Sequence, residues 1–85
     1  MALRTKSEIF DVVTGNLREI LPELDSVEID PQQSMKDLGA NSIDRADVVV
    51  QSMETLEVKF PLNELAGVKS IQGLVDFLHS RMHTE

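Results

Sequence analysis

The sequence predicts an all-α fold: a small four-helix bundle with a short third helix and a long ordered loop between helices 1 and 2. Three observations carry this expectation. Apolar residues recur at helical spacing in separate stretches, helix-start signals precede those stretches, and the only alternating run, residues 56–60, is too brief to build a sheet. Eighty-five residues make one domain, spanning 1–85. At about 0.05–0.15 kcal/mol per residue, its stability is about 4–13 kcal/mol, so each core side chain matters. A hydrophobic content of 41% is enough for a packed core and argues against wholesale disorder.

The first helix opens at Thr5-Lys6-Ser7-Glu8, a capping box. Ile9, Val13, Leu17 and Ile20, flanked by Phe10 and Leu21, form its apolar stripe. Gly15 weakens this helix by about 0.5–1 kcal/mol without forbidding it, and Pro22 marks its end. Residues 23–41 are polar and acidic. A connection of that length is expected to be ordered, with Val27, Ile29, Met35 and Leu38 pinning it to the core. Asp30-Pro31 reads as an N-cap and first-turn proline, placing a helical turn near residues 31–35.

The second helix is expected over residues 42–56. On a helical wheel Ile43, Ala46, Val49, Val50, Met53 and Leu56 share one arc. Asp44, Asp47, Gln51 and Glu54 oppose it, with Val48 an apolar intruder among them. That arc is wide, so its Ile43–Ala46–Val50 edge is either core or partly exposed beside Ser42. Phe60-Pro61 breaks the pattern. Leu62-Asn63-Glu64-Leu65 allows only a short helix closed by Gly67. Ser70 then caps a last helix carrying Ile71, Leu74, Val75, Leu78 and Met82.

The net charge is −7, unevenly spread. Between residues 19 and 57, ten acidic residues face only Lys36 and Arg45, a balance of −8, while the flanks sum to +1. Such a field repels nucleic acid and anionic membrane and attracts proteins with basic patches; it also serves plain solubility. The chain has no cysteine, hence no disulfide and no thiolate of its own. Any thioester chemistry needs a thiol from a cofactor. The first residues lack an apolar signal region, and no run approaches eighteen apolar residues, so a cytoplasmic, monomeric protein without a membrane partner is the expectation.

The candidate site is Ser42, in Asp37-Leu38-Gly39-Ala40-Asn41-Ser42-Ile43-Asp44. A glycine-containing turn places this serine at the mouth of the second helix. Unpaired backbone N–H groups and the helix dipole stabilise an anion there by about 0.3–1 kcal/mol. The serine could equally be a plain N-cap worth about 1 kcal/mol, as Ser34 and Ser70 illustrate. Asn41 keeps the hydrogen-bonding shape of an aspartate without its charge, so it can cap the turn.

Other chemistries fit less well. A nucleophilic Ser42 needs a base, but the only histidines, His79 and His83, fall in the last seven residues, and no Gly-x-Ser-x-Gly elbow surrounds Ser42. Those histidines lie four apart without an evident third ligand, so no metal site is expected. The acidic loop lacks the spacing of a calcium loop.

Over residues 7–80 the chain resembles the acyl carrier proteins. Their order is a long helix, a long ordered loop, Asp-x-Gly-x-Asp-Ser-Leu opening an acidic helix, then a short and a final helix. Here the motif's second Asp is Asn41 and its Leu is Ile43. Val58-Lys59-Phe60-Pro61 and Ser70-Ile71-Gln72-Gly73-Leu74-Val75 look like the family's segments around its last two helices. Asn41-Ser42-Ile43-Asp44-Arg45-Ala46-Asp47 resembles the free-standing carriers of bacterial polyketide β-branching cassettes, which work beside an HMG-CoA-synthase-like enzyme.

The resemblance implies a carrier rather than an enzyme, with 4'-phosphopantetheine joined covalently to Ser42 by a phosphopantetheinyl transferase. It implies an acyl group, acetyl in a β-branching donor, held as a thioester. An acyltransferase or ketosynthase-like decarboxylase would load it. Asp44, Asp47 and Glu54 would face a basic patch on partners, and Arg45, interrupting that acidic surface, would help a synthase tell this carrier from others. Ile43, Ala46 and Val50 would add an apolar contact or the lip of a small acyl-accommodating cleft. Three alternatives remain: a generic polyketide or fatty-acid carrier, a peptidyl carrier, and a cofactor-free acidic adaptor. Peptidyl carriers more often have Gly-Gly-x-Ser, where this chain has Gly-Ala-Asn-Ser.

Overall fold

A computed structural model describes residues 5–82. Three α-helices, α1 (Lys6–Ile20), α2 (Ser42–Leu56) and α3 (Ile71–Met82), alternate with two short 3-10 turns, Pro22–Leu24 and Leu62–Leu65. The all-α expectation holds, and the short third helix is the 3-10 turn Leu62–Leu65.

Helix α1 starts as its sequence dictates. The Thr5 hydroxyl accepts from the Glu8 N–H at 3.1 Å, and the Glu8 carboxylate accepts from the Thr5 N–H at 2.8 Å. Its stripe of Ile9, Val13 and Leu17 is fully buried. It packs against both α2 and α3 and is the shared wall of the core. Val48, Val49 and Leu56 of α2 meet it from one side, and Ile71, Leu74, Val75 and Leu78 of α3 complete the cluster. A polar link crosses this packing: the Asn16 amide donates to the buried Ser52 hydroxyl at 3.2 Å.

The orientation of α2 differs from the wheel reading. Val48 is 0% exposed and belongs to the core, whereas Val50 is 38% and Ile43 70% exposed. The wheel sorted residues by apolarity alone. The physical reason for the difference is that α1 covers the face defined by Val48, Val49, Ser52 and Leu56, including a serine, and leaves two large apolar residues outside.

The connection from α1 to α2 is ordered and makes two turns. Asp30 caps the first, as expected: its carboxylate accepts from the Gln32 N–H at 2.9 Å, its carbonyl accepts from the Gln33 N–H at 3.0 Å, and its own N–H donates to the Gln33 side chain, so a single turn without a helix follows Pro31. A second, helix-like turn occupies residues 34–38. The Ser34 hydroxyl accepts from the Asp37 N–H (3.0 Å), and the Asp37 carboxylate from the Ser34 N–H (3.2 Å), a capping box in miniature. Ile29 is buried and Met35 and Leu38 pack on the core as expected, whereas Val27 is 39% exposed. Two long-range clamps fix the loop. The Arg18 guanidinium donates to the carbonyls of Leu24 and Val27. The carbonyls of Gln33 and Pro31 accept from the Ile71 and Gln72 N–H groups at the start of α3.

Ser70 caps α3, its hydroxyl accepting from the Gly73 N–H at 2.9 Å. The Leu62–Leu65 turn is held to α3 through Arg81, which pairs with Glu64 and lies over the Phe77 ring, itself edge-on to Phe60. On α3's outer face, hydrogen bonds from Lys6 and then Gln72 hold the Asp76 carboxyl below its ordinary value.

Helix α2 ends in a Schellman arrangement, with the Val58 N–H on the Met53 carbonyl and the Glu57 N–H on that of Glu54. The left-handed residue is Glu57, at φ 59°, where glycine is the usual choice. Its carboxylate also sits at the negative end of the helix dipole. Replacing Glu57 by Gly is expected to raise stability by about 0.5–1 kcal/mol. Thermal unfolding checks this, and an unchanged or lower midpoint would count against it.

Candidate functional site at the mouth of helix two

The segment leading into α2 is a sequence of local devices, each fixing the next. The turn at residues 34–38 closes with the Ala40 N–H on the Met35 carbonyl and the Gly39 N–H on that of Lys36, both at 3.0 Å. This closure needs a left-handed residue, supplied by Gly39 at φ 103°. Ala40 then plugs into the core at 4% exposure. With Ala40 held, Asn41 takes the N-cap position. Its side-chain oxygen accepts from the Asp44 N–H at 2.8 Å, and the Asp44 carboxylate accepts from the Asn41 N–H at 3.3 Å.

Asn41 rather than Ser42 is therefore the cap. Ser42 is the first residue inside the helix, exposed, and among the described residues its hydroxyl has no hydrogen-bond partner. The plain N-cap reading of this serine does not hold, because the neighbouring asparagine already does that work. The N–H groups of Ser42 and Ile43 also lack a partner among the described residues, since neither position has a carbonyl one turn back. A free hydroxyl beside two free N–H donors at the positive end of a 15-residue helix fits a phosphodiester.

Two surfaces flank Ser42. Down one side of α2 runs an exposed stripe of Ile43, Asp47, Val50 and Glu54, spaced i, i+4, i+7, i+11. It alternates apolar and acidic side chains, and Asp44 borders it. The Ile43–Ala46–Val50 edge is thus split. Ile43 and Val50 belong to this outer stripe, and Val50 continues into a shallow groove formed with Met53, Val58 and Phe60.

On the other side α2 faces a cleft of about 550 Å³ between itself, the Leu62–Leu65 turn and the loop carrying Met35. Ala46 and Val49 line it from α2, Leu65 and Val68 from beyond. Arg45, which the sequence placed on the acidic docking surface, instead lines this cleft and is half-buried. That location had no sequence signal, because it depends on how α1 orients α2.

Among the described residues no group of three or more His, Cys, Asp or Glu side chains is placed to hold a metal ion. Of the two histidines four apart, His83 lies outside the described residues. No helix of the described residues is long and apolar enough to cross a membrane.

A three-helix core with the exposed Ser42 at the mouth of α2 is the architecture of a small carrier-type domain. The comparisons give that class its family. The family model described as the phosphopantetheine attachment site matches residues 11–78. A polyketide biosynthesis acyl-carrier-protein, AcpK of Bacillus subtilis (strain 168), is 39% identical over 79 residues, covering 93% of this chain and 96% of that protein. An acyl carrier protein of Myxococcus xanthus is 34% identical over 70 residues, covering 78% of this chain and 89% of that one. Among solved structures, a chain in the crystal structure of the curacin biosynthetic pathway HMG synthase in complex with acetyl donor-ACP superposes with a TM-score of 0.85. It is 35% identical, and the match covers 91% of this chain and 99% of that one. The chain belongs to the acyl carrier protein family, whose cofactor is 4'-phosphopantetheine.

Proposed function

We infer that Ser42 is the attachment residue and that the chain is a donor carrier for polyketide β-branching. A phosphopantetheinyl transferase joins the cofactor to the Ser42 hydroxyl through a phosphodiester. The attached arm supplies the thiol that this cysteine-free chain lacks, on which an acetyl group is held as a thioester. An HMG-CoA-synthase-like enzyme then takes that acetyl group for addition to a β-ketone on another carrier. The observation that supports the donor role above a generic one is the likeness, over 91% of this chain, to a chain in an HMG synthase–acetyl donor-ACP complex.

The chain's own residues contribute position and docking and perform no catalysis. Asn41 and Asp44 hold the helix mouth in place, and the Ser42 and Ile43 N–H groups receive the phosphodiester. Ile43 and Val50 offer apolar contact to a partner, while Asp44, Asp47 and Glu54 draw its basic patch. Steering of this kind speeds association about 10–10³-fold and fades with salt. A weak, fast encounter suits a monomeric carrier of one domain that visits, in the cytoplasm, first an acyltransferase or ketosynthase-like decarboxylase for loading and then the synthase.

The test is a transfer assay read by intact mass. The chain is loaded from acetyl-CoA by a broad-specificity transferase, then mixed with an HMG-CoA-synthase-like enzyme and a second carrier bearing a β-ketoacyl thioester. The expected result is loss of acetyl from this chain and gain of acetyl plus one water on the acceptor, the water releasing the new carboxylate from the synthase. Loading without transfer would leave a generic carrier; failure to load a folded chain would favour the cofactor-free adaptor.

A further inference from the structure

Seven of the chain's eight Lys and Arg residues fall among the described residues, and their placement is uneven. Lys6 pairs with Asp76, Arg81 with Glu64, and Arg18 is occupied by two carbonyls. Of the four others, Lys36, Arg45 and Lys69 line a single feature, the cleft beside Ser42, and Lys59 lies elsewhere. None of the three is in an ion pair among the described residues, and no carboxylate lines that cleft. In a chain of net charge −7 this is a local reversal of sign, brought together from three separate stretches of sequence.

Three cations lining one cleft that no carboxylate lines favour an anion received between them. The floor beneath them is apolar, supplied by Met35, Val49, Leu65 and Leu74. Helix geometry connects the cleft to Ser42: Arg45 and Ala46 lie three and four residues on, Val49 seven, so a group hung from Ser42 can run down that stripe. A volume of about 550 Å³ falls in the range of small-molecule sites.

We propose that this cleft holds the free carboxylate of a short dicarboxylic acyl group carried on Ser42, with Lys36, Arg45 and Lys69 around the carboxylate and the apolar floor under its methylenes. The proposal rests on Ser42 being the attachment residue. It assigns the cleft a preference for cargo ending in a negative charge over cargo of equal length ending in a methyl group.

Succinyl and butyryl groups make the comparison, because both have four carbons and differ at the far end. The chain is loaded from succinyl-CoA carrying a ¹³C-labelled terminal carboxylate and, separately, from butyryl-CoA, with intact mass reporting attachment. The carboxylate is titrated by its ¹³C shift, against free succinyl-pantetheine as reference. Its midpoint on the chain is expected to fall by about 0.5 unit or more, since nearby cations favour the charged form. The backbone amides of Lys36, Arg45 and Lys69 are expected to shift in the succinyl form and not in the butyryl form. Arg45→Gln and Lys69→Gln should each return the midpoint toward the reference, as should 1 M salt, which needs no variant to fold.

An unmoved midpoint, or identical amide shifts in the two forms, overturns the proposal; the second outcome would assign the cations to the phosphodiester. Absence of any mass gain overturns the attachment reading and this inference with it. A mass gain with an unmoved midpoint overturns this inference alone.

Discussion

Ser42→Ala is expected to abolish the mass gain of one phosphopantetheine that the native chain shows with coenzyme A, magnesium and a phosphopantetheinyl transferase, while leaving stability within about 0.5 kcal/mol. The two halves of this result have separate causes. The acceptor hydroxyl is removed outright, so modification falls to nothing rather than by some factor. Stability is spared because Ser42 is exposed, lies one residue inside the helix and holds no cap bond. Alanine is moreover the better helix former. The control is one residue away. Asn41→Ala removes the acceptor for the Asp44 N–H and should cost about 1 kcal/mol while keeping modification. Urea unfolding and intact mass on the same three samples read both quantities. A Ser42→Ala chain that still gains mass would place attachment elsewhere. One that loses several kcal/mol would return Ser42 to a structural role.

This separation between the capping residue and the displayed residue is more than the sequence revealed. Gly39, Asn41 and Ser42 marked the turn and the helix mouth, because a left-handed glycine and a capping asparagine leave local signatures. Which of Asn41 and Ser42 caps depends on where Ala40 is buried, and that is a packing fact. The Thr5–Glu8 box, the Ile9–Val13–Leu17 stripe and the Ser70 cap were legible for the same local reason. The Asp30-Pro31 turn was legible as well, whereas its anchoring, the Pro31 and Gln33 carbonyls taken by the first N–H groups of α3, was not. A bond between distant stretches has no periodicity to read. The convergence of Lys36, Arg45 and Lys69 on one cleft was hidden likewise, since only the packed fold joins them.

The rotation of α2 is the instructive case. Its valines are consecutive, Val48-Val49-Val50, so a wheel had to decide which two face inward without knowing where α1 lies. The structure buries Val48 and Val49 and exposes Val50, and this predicts opposite fates for one chemical change. Val48→Asp puts a carboxylate where exposure is 0%, against the apolar stripe of α1. Burying such a group unpaired costs several kcal/mol, comparable to the whole stability of about 4–13 kcal/mol, so the variant is expected to be largely unfolded at pH 7. Lowering the pH toward 4 protonates the new carboxyl and should recover part of the helical signal, because a group whose folded pKa is raised destabilises above its ordinary value and not below.

Val50→Asp adds the same charge to an outer stripe that already carries Asp47 and Glu54, and should change stability by no more than about 1 kcal/mol. Its effect belongs to docking. The apolar step between two acids is lost, so association with a partner enzyme should weaken even though the surface has become more negative. If charge alone governed docking, the same variant would bind more tightly at low salt. Circular dichroism on both variants and binding measured for Val50→Asp thus test the rotation of the helix and the composition of its outer face together. Equal folding of the two variants would mean that α2 is turned about its axis from the orientation described, and the stripe of Ile43, Asp47, Val50 and Glu54 would have to be redrawn with it.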